Sequence, residues 1–406
     1  MKKSKKIGFV IPWYSENIPG GAEMELRGLS THLHEAGVPV EILTTCVKEF
    51  HSDWNVDYFN EGIEVIHGFY VRRFKVRKRN TRCFDEVNIK LMNNERVSED
   101  EEHIYINEMI NSPDMYNYIR ENKENYRFFV FIPYMFGITY NGILACPEKA
   151  ILIPCLHDEG AAHMKIFKNC YSKICGMVFN AEPERKLADR IFDLTNVHTE
   201  VLGIGLNTEL HSSAVEFRKK YKINDPFILY AGRKDEGKNV HSLVDYYTEY
   251  IKDDSRGLKL VLIGGGSLEL PQELVKQGRI IDLGFVDIQD KYNAQAAAAL
   301  LCQPSKNESF SLVIMESWLC KRPVLVHEDC AVTKNFVKEA NGGLYFKDYL
   351  DFKGCVDFIL DRNDVANAMG QNGRKYVLEN FAWDVVVDKY LKFFDEVEKC
   401  GKKLRL

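Results

Sequence analysis

Two carboxylates eight positions apart, Glu308 and Glu316, flank an apolar stretch in KNESFSLVIMESW (306–318). Glu308 follows a strand pattern, and Glu316 lies about two turns into the helix predicted next. Carboxylates only accept hydrogen bonds, so they suit the hydroxyl pairs of a sugar or a ribose. The helix start between them offers N–H groups to a phosphate. Chance is the alternative, since about a quarter of a typical chain is charged.

A second stretch, AGRKDEGKNV, places Arg233 and Lys238 between a predicted strand and a predicted helix with Asn239 at its N-cap. Cations near a helix N-terminus oppose its dipole by roughly 0.3–1 kcal/mol each. Arg233 and Lys238 are therefore expected to hold an anion, Arg233 through two phosphate oxygens and Lys238 as a point charge. The alternative is that Asp235 and Glu236 pair with them in a surface loop.

Two glycine-rich turns follow other predicted strands. Gly20 and Gly21 precede a helix predicted from about Ala22, where glycine would let the backbone approach a ligand. A plain strand-to-helix turn is the alternative. LIGGGS (262–267) invites a dinucleotide-binding interpretation, but that pattern needs glycine at the position of Glu269. We predict a tight turn there, which disfavours a dehydrogenase.

A histidine follows the strand pattern KAILIP in the N-terminal half of the chain. His157 and Asp158 are predicted to lie at the carboxyl end of that strand, where parallel sheets place ligands. His157 is therefore a candidate for the reacting centre. The alternative is a buried histidine that caps the next helix, with Asp158 or His163 as its neighbour.

A strongly charged segment spans about 72–103. RRFKVRKRNTR (72–82) holds seven Arg or Lys, and ERVSEDEEH (95–103) holds five acids. One interpretation is a solvated, partly mobile insertion whose charges screen each other. The other is a basic lip, with Arg72, Arg73 and Lys75 facing a phosphate-bearing or membrane-borne acceptor.

Short apolar runs alternate with helical patterns along the whole chain, which predicts parallel sheets covered on both faces. The alternation is interrupted by a polar stretch near 203–226. We therefore predict an α/β protein with one Rossmann-like domain at 1–206 and a second at 207–382, and we treat 383–406 as a C-terminal helix. A cleft between two such domains is the expected site.

Composition narrows the class of protein. The 406 residues carry a net charge of −5, which gives no general attraction to nucleic acid. Eleven cysteines at irregular spacing, without C-x-x-C, predict reduced thiols in a cytoplasmic protein. The basic start resembles a signal peptide, but its apolar run is short and predicts a first strand. No run reaches the roughly 18 apolar residues of a membrane span, so membrane contact is expected to be peripheral.

Taken in order, these motifs resemble the retaining GT-B glycosyltransferases, specifically glycosyltransferase family 4, over nearly the whole chain. The matching residues are Gly-Gly-Ala-Glu at 20–23, Gly-Arg…Lys-Asn at 232–239 and the Glu-x7-Glu pair. The tail at 381–399 is similar to the last helix of that family, which crosses back to the N-terminal domain. The sequence departs from the family where Gly-Phe-Gly often follows the first acid, because it has Ser309-Phe310-Ser311. It also has Asn207 where an Asp is common.

The resemblance implies that the domain at 1–206 binds the acceptor and the domain at 207–382 binds the nucleotide sugar, and it implies roles for the candidate residues. Glu308 would contact the donor sugar and Glu316 the ribose, while Arg233 and Lys238 hold the diphosphate. The backbone from Ser309 to Leu312 would contact phosphate, and His157 would lie near the reacting sugar and the acceptor.

The implied activity is hexose transfer from a UDP- or GDP-sugar to a glycan or lipid-linked acceptor in bacterial surface polysaccharide synthesis, at the inner face of the membrane. No strict Asp-x-Asp occurs in the sequence, so Arg233 and Lys238 are expected to replace a metal, and no cofactor is expected. Two alternatives stay open. One is a GT-B enzyme of another reaction type, such as a phosphorylase. The other is a non-catalytic protein of the same fold that binds a nucleotide sugar or a glycan.

Overall fold

Two largely parallel β-sheets form the framework of the molecule in a computed structural model that describes residues 5–16, 18 and 20–403. The chain divides into two units: Met1–Leu206 with Trp383–Leu406, and Asn207–Ala382. Each unit contains one sheet with helices on both faces, as near-continuous apolar strands require. The predicted α/β class is confirmed.

The first unit carries an eight-stranded sheet in the order β3-β4-β2-β1-β5-β6-β7-β8, in which only the β3–β4 pair is antiparallel. Its strands are β1 (Lys6–Val10), β2 (Val40–Thr45), β3 (Gly62–Ile66), β4 (Phe69–Phe74), β5 (Tyr126–Phe131), β6 (Ala150–Leu152), β7 (Gly176–Phe179) and β8 (His198–Val201). Its first seven helices are α1 (Gly21–Glu35), α2 (Thr81–Met92), α3 (Glu99–Glu108), α4 (Pro113–Asn122), α5 (Gly137–Ala145), α6 (Lys165–Tyr171) and α7 (Glu182–Ile191).

Strand β5 shows why this sheet needs helices on both sides. Phe128 and Val130 point into one apolar cluster, and Phe129 and Phe131 point into the other. Successive side chains of a strand face opposite sides, so a strand that is apolar at every position is stable only when both faces are covered.

The second unit carries a parallel six-stranded sheet in the order β11-β10-β9-β12-β13-β14. Its strands are β9 (Phe227–Ala231), β10 (Lys259–Ile263), β11 (Ile280–Asp282), β12 (Leu300–Gln303), β13 (Val324–His327) and β14 (Gly343–Phe346). Its helices are α8 (Ala214–Tyr221), α9 (Val240–Tyr250), α10 (Gln272–Lys276), α11 (Ile288–Ala297), α12 (Leu312–Leu319), α13 (Ala331–Ala340), α14 (Tyr349–Asp361) and α15 (Asn363–Phe381).

The last helix, α16 (Trp383–Lys403), packs against the sheet of the first unit. Its buried residues recur at helical spacing and form one apolar stripe: Val386, Val387, Tyr390, Phe393, Phe394 and Val397. The indole of Trp383 stacks on His32 with ring centroids 4.1 Å apart. A Cβ at Gly28 or Gly205 would overlap that indole, so the two glycines make room for it.

The charged segment at 72–103 differs from the mobile insertion that was one interpretation of the sequence. It contains the end of β4, all of α2 and the start of α3, and both helices have side-chain N-caps. Glu102 is only 5% exposed and accepts hydrogen bonds from the backbone N–H groups of Lys165 and Ile166 at 2.9 and 2.8 Å. Part of the acidic run therefore supports the fold.

Among the described residues, no helix combines the length and the apolar character that crossing a bilayer requires. All eleven cysteines are free thiols.

Candidate functional site

The second unit has a topological switch point between β9 and β12. The chain proceeds outward from β9 through β10 to β11 on one side, and from β12 through β13 to β14 on the other. β9 and β12 are adjacent and parallel, with Ile228 opposite Leu300. Open α/β sheets bind ligands beside the carboxyl ends of strands at such a point. The loops that follow these two strands carry Arg233, Lys238 and Glu308.

Lys238 and Glu308 form an ion pair that connects the two loops. The Lys238 Nζ atom donates to Glu308 Oε1 at 2.7 Å, and the side chains are 22% and 10% exposed. The Gln303 amide donates to the same oxygen at 3.3 Å. The sequence alternative in which Lys238 pairs with Asp235 or Glu236 is wrong, because the charge of Lys238 is directed across the switch point.

Arg233 projects into solvent on the first of these loops. Its side chain is 68% exposed, and its Nε lies 3.4 Å from Asp235 Oδ2. The pairing with Asp235 proposed as an alternative is therefore present for Arg233. An exposed ion pair of this kind contributes about 0–1 kcal/mol, so a phosphate could displace it at little cost.

Contacts of the neighbouring residue, Lys234, fix the backbone around Arg233. Lys234, 3% exposed, pairs with Asp282 at 2.6 and 2.8 Å. The Lys234 N–H donates to the Gly265 carbonyl at 2.7 Å. Gly264 has φ 126°, and a Cβ there would overlap the Gly232 carbonyl. LIGGGS is thus the predicted tight turn, and its glycines let it pack directly against the Arg233 loop.

Asn239 is the N-cap residue of α9, but it does not cap with its side chain. It has φ 55°, its amide donates to the Pro304 carbonyl at 3.0 Å, and its Oδ1 accepts from the Ser242 hydroxyl at 2.8 Å. Asn tolerates this left-handed backbone better than most residues. Asn239 therefore connects the two loops rather than satisfying the helix N–H groups.

The segment Ser309–Leu312 leads into α12. The Phe310 ring is 2% exposed and packs edge-on against Phe336 and Phe381, with centroids 5.2 and 5.0 Å away. Because the ring is used for packing, only the backbone of Phe310 remains available to a ligand. Ser309 and Leu312 are half-buried.

Ser311 is the N-cap of α12 and has φ 79° and ψ 77°, with no side-chain cap hydrogen bond. Its Oγ is buried without a partner among the described residues. This is one of the positions where the resembled family often has glycine, and the positive φ explains that preference.

Glu316 points from α12 toward α11 and is 8% exposed. Its Oε1 accepts from Lys291 Nζ at 2.7 Å, and its Oε2 accepts from the Gln295 amide at 3.2 Å. The sequence interpretation missed Lys291 and Gln295. Their i,i+4 spacing places both on one face of α11 and was the available signal.

In the first unit, His157 follows β6 and is half-buried. Its Nε2 is buried without a hydrogen-bond partner among the described residues. Asp158 instead makes the local contacts, with His163 Nε2 at 2.7 Å and Arg190 at 3.6 Å. Neither the short 3-10 helix at Gly160–His163 nor α6 has a side-chain cap hydrogen bond, so His157 does not have the capping role that was its alternative.

Gly20 and Gly21 have different reasons to be glycine. Gly20 has φ 137°, and a Cβ there would overlap the Glu23 carboxyl group, which accepts from the Trp13 indole. Burial raises the pKa of Glu23. A Cβ at Gly21 would meet nothing within 4 Å, which leaves open space at the start of α1. Residues 17 and 19 of this loop lie outside the described chain.

The basic lip needs correction. Arg73 is 3% exposed and ion-paired with Glu64, so it cannot face an acceptor. Arg72 pairs with Glu41 at 3.0 Å, an interaction that helps lower the pKa of Glu41 despite its burial. Lys75 alone of the three is largely exposed, 3.5 Å from Glu61. Two of the three predicted acceptor residues thus connect β4 to its neighbouring strands, Arg73 to β3 and Arg72 to β2.

Among the described residues, His198, Glu200 and Glu396 have ligand atoms within 4.8 Å of one another. None of the predicted site residues belongs to this group, and metal-independent action stays a prediction.

Comparisons with known proteins agree with the fold. Residues 214–376 match the model of the family "Glycosyl transferases group 1". An uncharacterized glycosyltransferase, MJ1607, of Methanocaldococcus jannaschii is 22% identical over 58% of this chain and 64% of its own length. The chain thus spans less than two thirds of that relative.

Two solved structures cover nearly all of this chain. Sucrose-phosphate synthase from Thermosynechococcus elongatus aligns over 98% of this chain and 100% of its own, with TM-score 0.69 and 16% identity. Anabaena HepE in complex with UDP-glucose aligns over 97% and 100%, with TM-score 0.69 and 14% identity. At these identities the likeness shows the fold. The chain therefore has the fold of the GT-B glycosyltransferases, as predicted, and its residues 214–376 are similar to the glycosyl transferases group 1.

Proposed function

We propose that the protein is a retaining hexosyltransferase. It moves a hexose from a UDP- or GDP-sugar to a hydroxyl group of a glycan or glycolipid in bacterial surface polysaccharide synthesis. The Lys238–Glu308 pair at the β9/β12 switch point, beside the exposed Arg233, carries the proposal. The HepE complex with UDP-glucose supports a nucleotide sugar as the donor.

The donor diphosphate would lie against Arg233, Lys238 and the N-terminus of α12. Lys238 is already within 2.7 Å of one anion, Glu308. A bound diphosphate would give Lys238 a second anionic partner and leave Glu308 free to accept hydrogen bonds from the sugar. Glu316 would accept from the ribose hydroxyls, with Lys291 and Gln295 fixing its orientation.

In the reaction, the bond between the anomeric carbon and the phosphate oxygen breaks, and the nucleoside diphosphate leaves with the electron pair. The acceptor hydroxyl attacks from the face that the diphosphate leaves, and its proton passes to the departing phosphate oxygen. This route retains the configuration without a protein nucleophile. Arg233, Lys238 and the N–H groups at α12 would stabilise the charge that builds on the leaving group, an effect of several kcal/mol in a preorganised site.

His157, half-buried after β6, would hydrogen-bond the sugar or orient the attacking hydroxyl. Lys75 remains a candidate acceptor contact. We place the enzyme in the cytoplasm at the inner face of the membrane, where a lipid-linked acceptor would be reached by peripheral contact. No metal or cofactor is part of the proposal.

The test is turnover with UDP-glucose, UDP-galactose and GDP-mannose, followed as nucleoside diphosphate release in the presence of glycan acceptors. Proton NMR of the product gives the anomeric configuration. Retained configuration, with release reduced in Lys238→Gln but not in Lys306→Gln, supports the proposal. Binding of a nucleotide sugar without release would identify a non-catalytic binding protein, and no binding would overturn the donor site.

A further inference from the structure

A buried polar cluster in the first unit has no part in the function proposed so far. It lies where β6 and β7 end, beneath the His157 loop, and it receives side chains from α1, α7 and α16. Its members are nearly inaccessible to solvent, except for the half-buried Cys155: Glu25, Cys155, Asn180, Glu184 and Tyr390.

Glu184 makes the strongest contacts of the cluster, and both of its oxygens accept from backbone. Oε1 accepts from the Leu156 N–H at 2.6 Å, and Oε2 accepts from the Asn180 N–H at 2.6 Å. Glu184 itself is 1% exposed. Leu156 is the residue before His157, and Asn180 follows the end of β7. One carboxylate therefore ties the His157 loop to the neighbouring strand end.

The other polar contacts of the loop on this side are weak sulfur contacts of Cys155, with Glu25 Oε2 at 3.7 Å and the Asn180 amide at 4.0 Å. Cys155 has φ 51°, a backbone region that costs a non-glycine residue about 1 kcal/mol or more, so the surrounding contacts must hold it there. On the other side of His157, Asp158 contacts His163 and Arg190 at the exposed surface. Glu184 is the buried contact that holds the peptide next to His157.

The neighbouring carboxyl group is arranged so that Glu184 can be the anion. Glu25 accepts from the Asn180 amide at 3.0 Å, and its second oxygen has no partner among the described residues. Burial raises the pKa of Glu25 to about 8 and that of Glu184 to about 7. Backbone N–H donors lower the pKa of Glu184 against that burial, and Glu25 lacks them. Glu184 therefore loses its proton more readily than Glu25.

We propose that Glu184 is a positioning residue for sugar transfer, which sets the place of His157 by binding the backbone N–H groups of Leu156 and Asn180. This inference rests on the role proposed for His157. Removing one of the two hydrogen bonds would let the loop shift, and a displacement of about 1 Å in a reacting group can cost about 100-fold in rate.

The test compares Glu184→Gln with Glu182→Gln, a matched change on the same helix at a more exposed carboxylate that pairs with Arg185. Gln keeps the shape of Glu but turns an N–H toward one backbone donor. We expect kcat to fall about 10- to 100-fold in Glu184→Gln with little change in donor KM. We also expect faster amide exchange in peptides covering Leu156 and Asn180. Glu182→Gln should leave both unchanged.

A double-mutant cycle with His157→Ala separates positioning from general damage. If Glu184 acts through His157, Glu184→Gln costs little more kcat once His157 is gone. An equal fall in both backgrounds overturns the inference, as does an unchanged kcat in His157→Ala. Absence of turnover in the wild-type protein would instead overturn the proposed function. In that case, unchanged amide exchange at Leu156 and Asn180 in Glu184→Gln would still overturn the positioning role of Glu184. If Glu184→Gln does not fold, Glu184→Asp, one methylene shorter, takes its place.

Discussion

Replacing Lys238 by Gln should separate catalysis from stability. In the wild-type protein Lys238 donates to Glu308 at 2.7 Å and is 22% exposed. A hydrogen bond to a charged group contributes about 1.5–3 kcal/mol, and solvent access together with the remaining Gln303 contact places this one near the lower end. We therefore expect the free energy of unfolding to fall by about 1–2 kcal/mol.

The effect on rate should be much larger. Removing one preorganised group that stabilises developing negative charge costs about 2.7–4 kcal/mol, or about 100- to 1,000-fold in kcat. A domain with about 5–15 kcal/mol of stability stays folded after a loss of 1–2, so unfolding cannot produce that fall at 25 °C.

The assay pairs denaturant unfolding with nucleoside diphosphate release for Lys238→Gln and Lys306→Gln. Lys306 is 51% exposed, lies on the loop after β12 and is 3.5 Å from Asp329, so it matches the charge change outside the pair. Lys306→Gln should leave kcat within about threefold. A kcat in Lys238→Gln that equals that of the control would refute the role of Lys238 at the leaving group.

Three further predictions concern the framework of the site. Ser311→Gly should raise the free energy of unfolding by about 1 kcal/mol, because it relieves a positive φ and removes an unpartnered buried hydroxyl. A lower free energy of unfolding, measured by urea denaturation, would contradict this. Gly264→Ala should cost more than about 2 kcal/mol by the same measurement, since its Cβ would overlap the Gly232 carbonyl. Gly237→Ala should be tolerated, because its Cβ would meet only the end of the Asp235 side chain, at 3.3 Å, which can move aside. Burial raises the pKa of Glu25 to about 8, so the folded state keeps a proton that the unfolded state releases near 4.5. Stability should therefore fall from pH 5 to 8 more steeply in the wild type than in Glu25→Gln, and parallel curves would contradict the raised pKa.

Much of the fold follows from apolar runs. Strands β1, β2, β9, β10 and β13 consist of short apolar runs that stand out in the sequence, because a strand buried on both faces is apolar at almost every position. β4 was missed since it carries Arg72 and Arg73, and only the folded chain brings Glu41 and Glu64 beside them. A sequence shows which residues are charged, but it does not show which residue, about 30 positions away, will form the ion pair.

The candidate site could also be predicted only in part from the sequence. The types and order of Arg233, Lys238 and Glu308 indicated an anion site, but their pairing depends on two strands that are adjacent in space and about 70 residues apart. Phe310 lies in the segment from Ser309 to Leu312 that was expected to contact phosphate, but its ring packs against Phe336. Glu184 carried no sequence signal, because its partners are backbone N–H groups.

The central claim is that the loops at the β9/β12 switch point bind a nucleotide diphosphate. Hydrogen–deuterium exchange with and without UDP or GDP tests it most directly, since it locates the contact along the chain. We predict that one of the two nucleotides slows exchange in 232–239 and 303–316, and that Arg233→Ala weakens this protection. Protection confined to other segments, or none with either nucleotide, would contradict the claim.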